Sequence, residues 1–514
     1  MGKAVNLHFL AIFLLTAFFS RSFADVKLPT IFSDNMVLQQ NQKLPIWGKA
    51  SPYEKIHINF GFSNISWHAV ASDDGKWKTE IGPFHASFVP QTLTVKGNNT
   101  VEIKNVLVGE VWLASGQSNM QMGVLGVQNA EQEIKNANNY PNIRLCTIYS
   151  AKADTPQDDF SGLWQQCSSD SIKNFSATCY FFGKELYEKL NVPIGLINSS
   201  WGGTPAEAWT PADVMKDDPD FKWAYERYDR LMATMPEKIK KWQEEVEKWK
   251  VDKAAGKEVS HEPWEPAGER TNPSVLYNAM IHPLIPFRIA GVIWYQGESN
   301  ADYAWHHEKL FMTLITSWRQ SWGQGDFPFY FVQLANYTPV KSEPGESDWA
   351  ELRETQLKTL QTVPNTGMAV IIDIGEADDI HPKNKQDVGK RLSLWALANT
   401  YGHDIVYSGP TFKSMEIKDD KAILRFDHVG SGLTTKDNQP LKGFAIAGAD
   451  KKFVWADAEI VGNKVIIKSD KVPVPVAVRY GWAHNPVCNL YNEQGLPATP
   501  FRTDDWPGLT YKKK

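Results

Sequence analysis

The stretch Val106-Leu-Val-Gly-Glu-Val-Trp-Leu-Ala-Ser-Gly-Gln-Ser-Asn-Met120 decides how this chain is read. An apolar run with almost no polar interruption ends in a small polar turn, and Ser118 falls where a strand hands over to a helix. A strand that is apolar along its length, rather than at every second position, is buried on both faces, which predicts a parallel sheet covered by helices. The same texture recurs at 193–198, 289–295, 327–334 and 368–374. Amphipathic stretches lie between these runs, for example Val388, Leu392 and Trp395 on one helix face. Ligands of such sheets bind beyond the carboxyl ends of the strands, so residues just after each run are the first candidates for chemistry.

Outward from this core the pattern changes on both sides. Residues 25–105 read as short strands at 43–48, 55–60 and 92–96, separated by turns such as Ser72-Asp-Asp-Gly75, which predicts a β-rich, sandwich-like module. The α/β domain is expected over 106–405, and a second β-rich module over 406–514, with short strands at 422–426, 443–446, 464–467 and 476–480. A charged insertion interrupts the core at about 211–269. Its Ile239, Trp242, Val246 and Trp249 predict one amphipathic helix, packed on the main domain or forming a rim over the substrate site.

Residues 1–24 have the features of a secretory signal. Lys3 is followed by an apolar run from Leu7 to Phe19, and then by the small residues of Ser22-Phe23-Ala24. The mature chain is therefore expected to begin near Asp25 and to act in the periplasm or outside the cell. Later apolar runs are too short to span a membrane. A formal charge of −5 over 514 residues gives no basic footprint for nucleic acid. Twenty tryptophans supply core and, at the surface, the flat faces on which sugars stack. Cys146, Cys167, Cys179 and Cys488 show neither a CxxC pair nor zinc spacing and leave room for one or two disulfides, while Cys179, on a helix face with Phe182, Leu186 and Leu190, fits a plain buried thiol equally well. No metal-ligand spacing such as HExxH occurs, so no metal site is expected.

Ser118 at a strand-to-helix turn suits a nucleophile, because helix N-terminal amides favour the oxyanion that an attack would create. The turn is not a G-x-S-x-G elbow, since Met120 occupies the last glycine position, and Ser118 alone would equally suit a helix cap. A serine nucleophile needs a base. Among twelve histidines His381 is best situated, in Asp373-Ile-Gly-Glu-Ala-Asp-Asp-Ile-His-Pro382, with Asp378 and Asp379 close enough for one of them to orient the ring. His282 and the pair His306/His307 compete with it. Two further blocks follow apolar runs: Asn198-Ser-Ser-Trp-Gly-Gly-Thr204, with amides at Gly202 and Gly203, and Trp294-Tyr-Gln-Gly-Glu-Ser-Asn300, with Gln296 and Glu298.

Together with Gly116-Gln-Ser-Asn-Met120, Trp201-Gly-Gly-Thr-Pro-Ala-Glu-Ala-Trp209, Leu276-Tyr-Asn-Ala-Met280, Asp379-Ile-His-Pro382 and Arg479-Tyr-Gly-Trp-Ala-His484, these blocks resemble the sialate O-acetylesterase family of the SGNH-hydrolase superfamily, in order along nearly the whole chain after residue 24. The resemblance implies an α/β, flavodoxin-like core, no cofactor, and acyl transfer through a serine. It implies an oxyanion hole from the Ser118 amide, Gly202 or Gly203, and a third-block side chain, here Gln296. The third block departs from the superfamily's usual asparagine. Common superfamily spacing favours Asp378 as the acid, whereas related sialate esterases carry the aspartate directly before Ile-His, as Asp379 stands here. The substrate implied is an O-acetylated sialic acid; acetylated xylan or another acetylated glycan is the alternative, and an inert carbohydrate-binding surface protein the distant one. An arginine near the pocket would favour sialic acid through its carboxylate, with Arg353 and Arg502 as candidates.

Overall fold

The structure, a computed structural model, describes residues 25–61, 63, 65–259 and 262–513. The expected signal at residues 1–24 lies outside the described residues. After the strands β1 (Val37–Gln39), β2 (Leu44–Lys49), β3 (Lys55–Phe60), β4 (Ser66–Val70), β5 (Lys76–Ile81) and β6 (Ser87–Lys96) comes β7 (Thr100–Gly116), a 17-residue strand. The first half of β7 pairs antiparallel with β6. Its second half pairs parallel with β10 (Ile194–Ser200) on one side and β11 (Gly291–Tyr295) on the other. The expected boundary at 105/106 therefore falls inside one strand, and the β-rich N-terminal part and the α/β core share an 11-stranded sheet.

Between β7 and β10 the chain forms α1 (Ser118–Gln121), α2 (Ala130–Asn136), β8 (Ile143–Ile148), β9 (Gly162–Gln166) and α3 (Ala177–Leu190). The insertion holds two helices rather than one, α4 (Lys222–Ala233) and α5 (Met235–Ala254). After β11 come α6 (Ala304–Trp322), β12 (Phe329–Val332), α7 (Asp348–Thr362), β13 (Thr366–Ala369) and α8 (Lys385–Trp395). The path across the core is β13-β12-β11-β7-β10-β8-β9, parallel except for β9 at the edge. Without the β8–β9 pair this is the flavodoxin-like order, with β7 as its first strand and the switch point beside it.

Strand alternation explains why these runs are apolar throughout. Val111, Leu113, Val292 and Trp294 enter one core cluster together with Phe311, Leu314 and Trp318 of α6. Trp112, Ala114, Ile293 and Tyr295 enter a second with Phe182 of α3 and Leu392 of α8. Both sheet faces are thus covered, as period-two geometry requires. The C-terminal part builds two antiparallel four-stranded sheets around a separate core containing Leu424, Phe444, Val465 and Tyr480. Arg353 of α7 fastens it: its guanidinium donates to the carbonyls of Leu334 and Ala335 on the core side and of Ala483 and His484 on the other. All four cysteines are unpaired thiols. Among the described residues no helix is long and apolar enough to cross a membrane.

Candidate functional site

Gly116 sets the exit from β7. Its φ is +137°, and a Cβ there would lie 2.2 Å from the Tyr295 carbonyl, so only glycine lets the turn press against β11. The chain then enters α1 with Ser118 as its first residue, half-buried at the carboxyl end of the sheet beside the switch point. Ser115, three residues earlier, is fully buried in the strand and has no access to solvent.

The loop after β13 brings His381 to this turn, with Nε2 2.9 Å from Ser118 Oγ. Asp379 Oδ1 lies 3.3 Å from His381 Nδ1 and also accepts the backbone N–H of His381 at 2.9 Å. With a carboxylate at Nδ1, the ring proton belongs there and the Nε2 lone pair faces the hydroxyl. Asp378 is exposed and takes no part in this contact. The competing histidines are elsewhere. His282 Nδ1 bonds the Gln157 carbonyl, His306 is stacked on Trp223, and His307 is fully buried, its Nδ1 on Thr355.

Two of the expected oxyanion donors are already engaged. The Gly202 amide donates to Gln121 Oε1 at 2.8 Å. Gln296 is fully buried, with its amide nitrogen on Asn300 Oδ1 at 2.6 Å and on the Thr204 carbonyl at 3.4 Å. Asn300 Oδ1 also accepts the Ala206 amide, which fixes its oxygen and hence the direction of the Gln296 bond. Asn300 Nδ2 meets Glu207, whose carboxylate is paired with Arg227 of α4. The second and third blocks are therefore a hydrogen-bonded frame, and Gln296 is part of that frame rather than a side chain open to a carbonyl oxygen. The amides of Ser118 and Gly203 meet no acceptor among the described residues and are the donors left at the turn.

A buried polar cluster holds the histidine loop. Asn119 Nδ2 donates to Glu298 Oε1 at 2.5 Å and to the Ile380 carbonyl at 3.0 Å. Lys385 Nζ donates to Asn119 Oδ1 at 2.6 Å and to the Pro382 carbonyl at 2.7 Å. The carbonyls on either side of His381 are thus tied to the residue that follows Ser118. Burial pushes Lys385 down to about 7 from the usual lysine range, with nearby Glu298 pulling the other way, while burial raises Glu298 above the usual carboxylate range. Lys385 carried no signal in the sequence beyond lying four residues after His381.

Neither arginine named as a carboxylate partner is free for one. All of the recorded Arg353 bonds go to backbone carbonyls, and Arg502 is paired with Glu354 and Asp504. Arg270, just after the insertion, lies beside the turn, its Nη2 3.6 Å from where a Cβ on Gly203 would stand. Nothing in its spacing along the chain points to the serine. No group of three or more metal-ligating side chains occurs among the described residues.

Residues 108–250 and 243–397 match the family described as carbohydrate esterase, sialic acid-specific acetylesterase. The chain is 32% identical to the sialate O-acetylesterase of Homo sapiens, over 94% of each protein. It is 33% identical to that of Rattus norvegicus, over 82% of this chain and 81% of the other. The structure is similar to that of a carbohydrate acetylesterase from Xanthomonas citri, with a TM-score of 0.81 and 38% identity, covering 94% of this chain and all of that one (100%).

Proposed function

The chain belongs to the family of sialic acid-specific carbohydrate acetylesterases, and from that premise we propose that it hydrolyses O-acetyl esters of sialic acid with Ser118 as nucleophile, His381 as base and Asp379 as the orienting acid. The observation that carries this reading is the 2.9 Å contact between Ser118 Oγ and His381 Nε2, with a carboxylate oxygen 3.3 Å from the other ring nitrogen.

In acylation, His381 Nε2 takes the hydroxyl proton as Ser118 Oγ bonds to the acetyl carbonyl carbon. The amides of Ser118 and Gly203 receive the oxyanion, and each such donor contributes about a hundredfold or more in rate. Collapse breaks the bond to the sugar oxygen, which leaves with the proton from His381. Water then attacks the acetyl-serine with the same base, and acetate departs as Ser118 recovers its proton. Asp379 keeps the proton on Nδ1 in the resting state and stabilises the imidazolium in both steps.

Acetate release measured in parallel on O-acetylated sialic acid and on acetylated xylo-oligosaccharides tests the substrate, and Ser118→Ala tests the chemistry. Faster turnover of the sialic acid ester by wild type, abolished in the variant with its melting curve unchanged, is expected. A preference for the xylan fragments overturns the substrate, and activity surviving Ser118→Ala overturns the mechanism. Export of the chain, which rests on the sequence of residues 1–24, is also part of the proposal. N-terminal sequencing of the secreted protein is expected to begin near Asp25.

A further inference from the structure

Arg270 shares a two-glycine turn with the nucleophile. A Cβ on Gly202 would stand 3.2 Å from Ser118 Cβ, and one on the next residue, Gly203, would stand 3.6 Å from Arg270 Nη2. The guanidinium carbon lies 5.6 Å from the centre of the Trp201 ring, so the group sits over the aromatic residue that opens this turn. Its recorded hydrogen bond is a single one, from Nη2 to the Glu265 carbonyl at 3.2 Å. Arg270 Nε is buried without an acceptor. The adjacent carboxylate, Glu269, is paired with Lys152 instead. Arg227, Arg391, Arg479 and Arg502 each hold a carboxylate at salt-bridge distance, and Arg270 holds none among the described residues.

A half-buried guanidinium with spare N–H groups and no carboxylate at salt-bridge distance among the described residues is poorly compensated for its desolvation: burial lowers its pKa from the ordinary arginine value, and the nearby Glu265 carboxylate offsets this only in part. An anion brought by the substrate would resolve this. Sialic acid differs from neutral acetylated sugars by the carboxylate on its anomeric carbon, at the other end of the molecule from the glycerol chain that carries acetyl groups. The turn at Gly202 and Gly203 adjoins Ser118 on one side and Arg270 on the other, so a sugar whose acetyl carbonyl is at Ser118 would have this turn beside it. We infer that Arg270, seated on Trp201, binds the substrate carboxylate and is the residue by which this esterase selects sialic acid over neutral acetylated sugars. This rests on the sialate reading of the site. Guanidinium suits the task because its planar fork pairs with a carboxylate in two parallel bonds, which an ammonium cannot do. The location also gives the insertion a purpose, since Arg270 closes it and α4 is latched to the same frame through Arg227 and Glu207.

The test compares kcat/KM for 9-O-acetylated sialic acid with kcat/KM for a neutral aryl acetate, in wild type, Arg270→Met and Arg270→Lys. The ratio of the two is expected to fall by about tenfold to a hundredfold in Arg270→Met, chiefly through KM, and by less in Arg270→Lys. The methyl ester of the sialic acid carboxyl, given to wild type, should lose a similar factor, and Arg270→Met should no longer discriminate between acid and methyl ester. Turnover of the aryl acetate and the melting curve report that each variant is folded. An unchanged ratio in Arg270→Met, with wild type still preferring the sialic acid ester, overturns the role of Arg270 alone. A wild type that hydrolyses neutral acetyl sugars and not the sialic acid ester overturns the sialate reading and this inference together.

Discussion

Asp379 Oδ1 serves His381 twice, accepting its backbone N–H at 2.9 Å and standing 3.3 Å from ring Nδ1. One oxygen thereby fixes both the local backbone and the ring. Asp379→Asn keeps an oxygen for the backbone bond but removes the charge that stabilises the imidazolium. The Asp379 side chain is 38% exposed, so water moderates the loss compared with a buried triad acid. We expect kcat to fall about a hundredfold or more, with KM nearly constant. Asp378→Asn should change kcat by less than about tenfold. Steady-state kinetics of both variants checks this, and the reverse ranking would transfer the role to Asp378.

The second expectation concerns Lys385. Its ammonium supplies donors to Asn119 Oδ1 and the Pro382 carbonyl, and its charge also acts on buried Glu298. Lys385→Met leaves two buried acceptors bare and a carboxyl without its counter-charge. Stability should drop by about 2–4 kcal/mol in urea unfolding. Because the lost bonds hold the segment around His381, kcat should also fall by about tenfold or more while KM changes little. Lost stability with wild-type kcat would mean that the cluster supports the fold and does not position the base.

Much of this architecture is readable from the chain because burial on both faces leaves a plain mark. The runs that became β7, β10, β11 and β12 are apolar at odd and even positions alike, and the candidate residues follow their carboxyl ends. Ser118 and His381 could be brought together on paper by that rule alone. The donors could not. Whether the Gly202 amide is open depends on Gln121, 81 residues away, and whether Gln296 faces a substrate depends on which way Asn300 is turned by the Ala206 amide. Asp378 and Asp379 both precede Ile-His, and only loop geometry separates them. The change of pattern at 105/106, from the alternating Thr100-Val-Glu-Ile-Lys-Asn105 to the apolar run from Val106, is real, but it marks where one strand passes into the sheet that is covered on both faces, not where a module ends. Arg270 closes an insertion whose spacing reports on no other element.

Acid should destabilise the protein through His307. Thr355 donates its hydroxyl hydrogen to the Leu352 carbonyl, so His307 Nδ1 must be the donor to Thr355, leaving Nε2 as a buried lone pair without a partner. Protonating Nε2 would bury a charged N–H with no acceptor, and burial lowers the pKa from 6.5 to about 3. Between these values the unfolded chain binds the proton and the native state does not. The stability due to a neutral His307 is therefore present in full above 6.5 and is lost as pH falls toward 3. From pH 7 to pH 5 the loss from this residue is about 2 kcal/mol. Urea unfolding at pH 7 and pH 5 should give a smaller difference for His307→Phe than for wild type by that amount, and equal differences would remove His307 as the cause.

Gly202 is expected to be intolerant of a side chain for reasons of space. A Cβ there would lie 3.2 Å from Ser118 Cβ and 3.2 Å from Gln121 Oε1, the atom that accepts the Gly202 amide. Both distances are tight for carbon, so Gly202→Ala must move either the nucleophile or the glutamine that braces the turn. Neither shift disturbs a core cluster, and the melting temperature should change little. The hydroxyl, however, has to stay within hydrogen-bond reach of His381, and a displacement of the order of 1 Å can cost about a hundredfold in rate. We expect kcat to fall by between about tenfold and a hundredfold in Gly202→Ala, with the folded fraction unchanged. Gln121→Ala separates the two routes. If crowding of Ser118 is responsible, the double variant Gly202→Ala/Gln121→Ala stays slow although the alanine now has room on the glutamine side. Recovery of kcat in the double variant would assign the effect to displacement of Gln121.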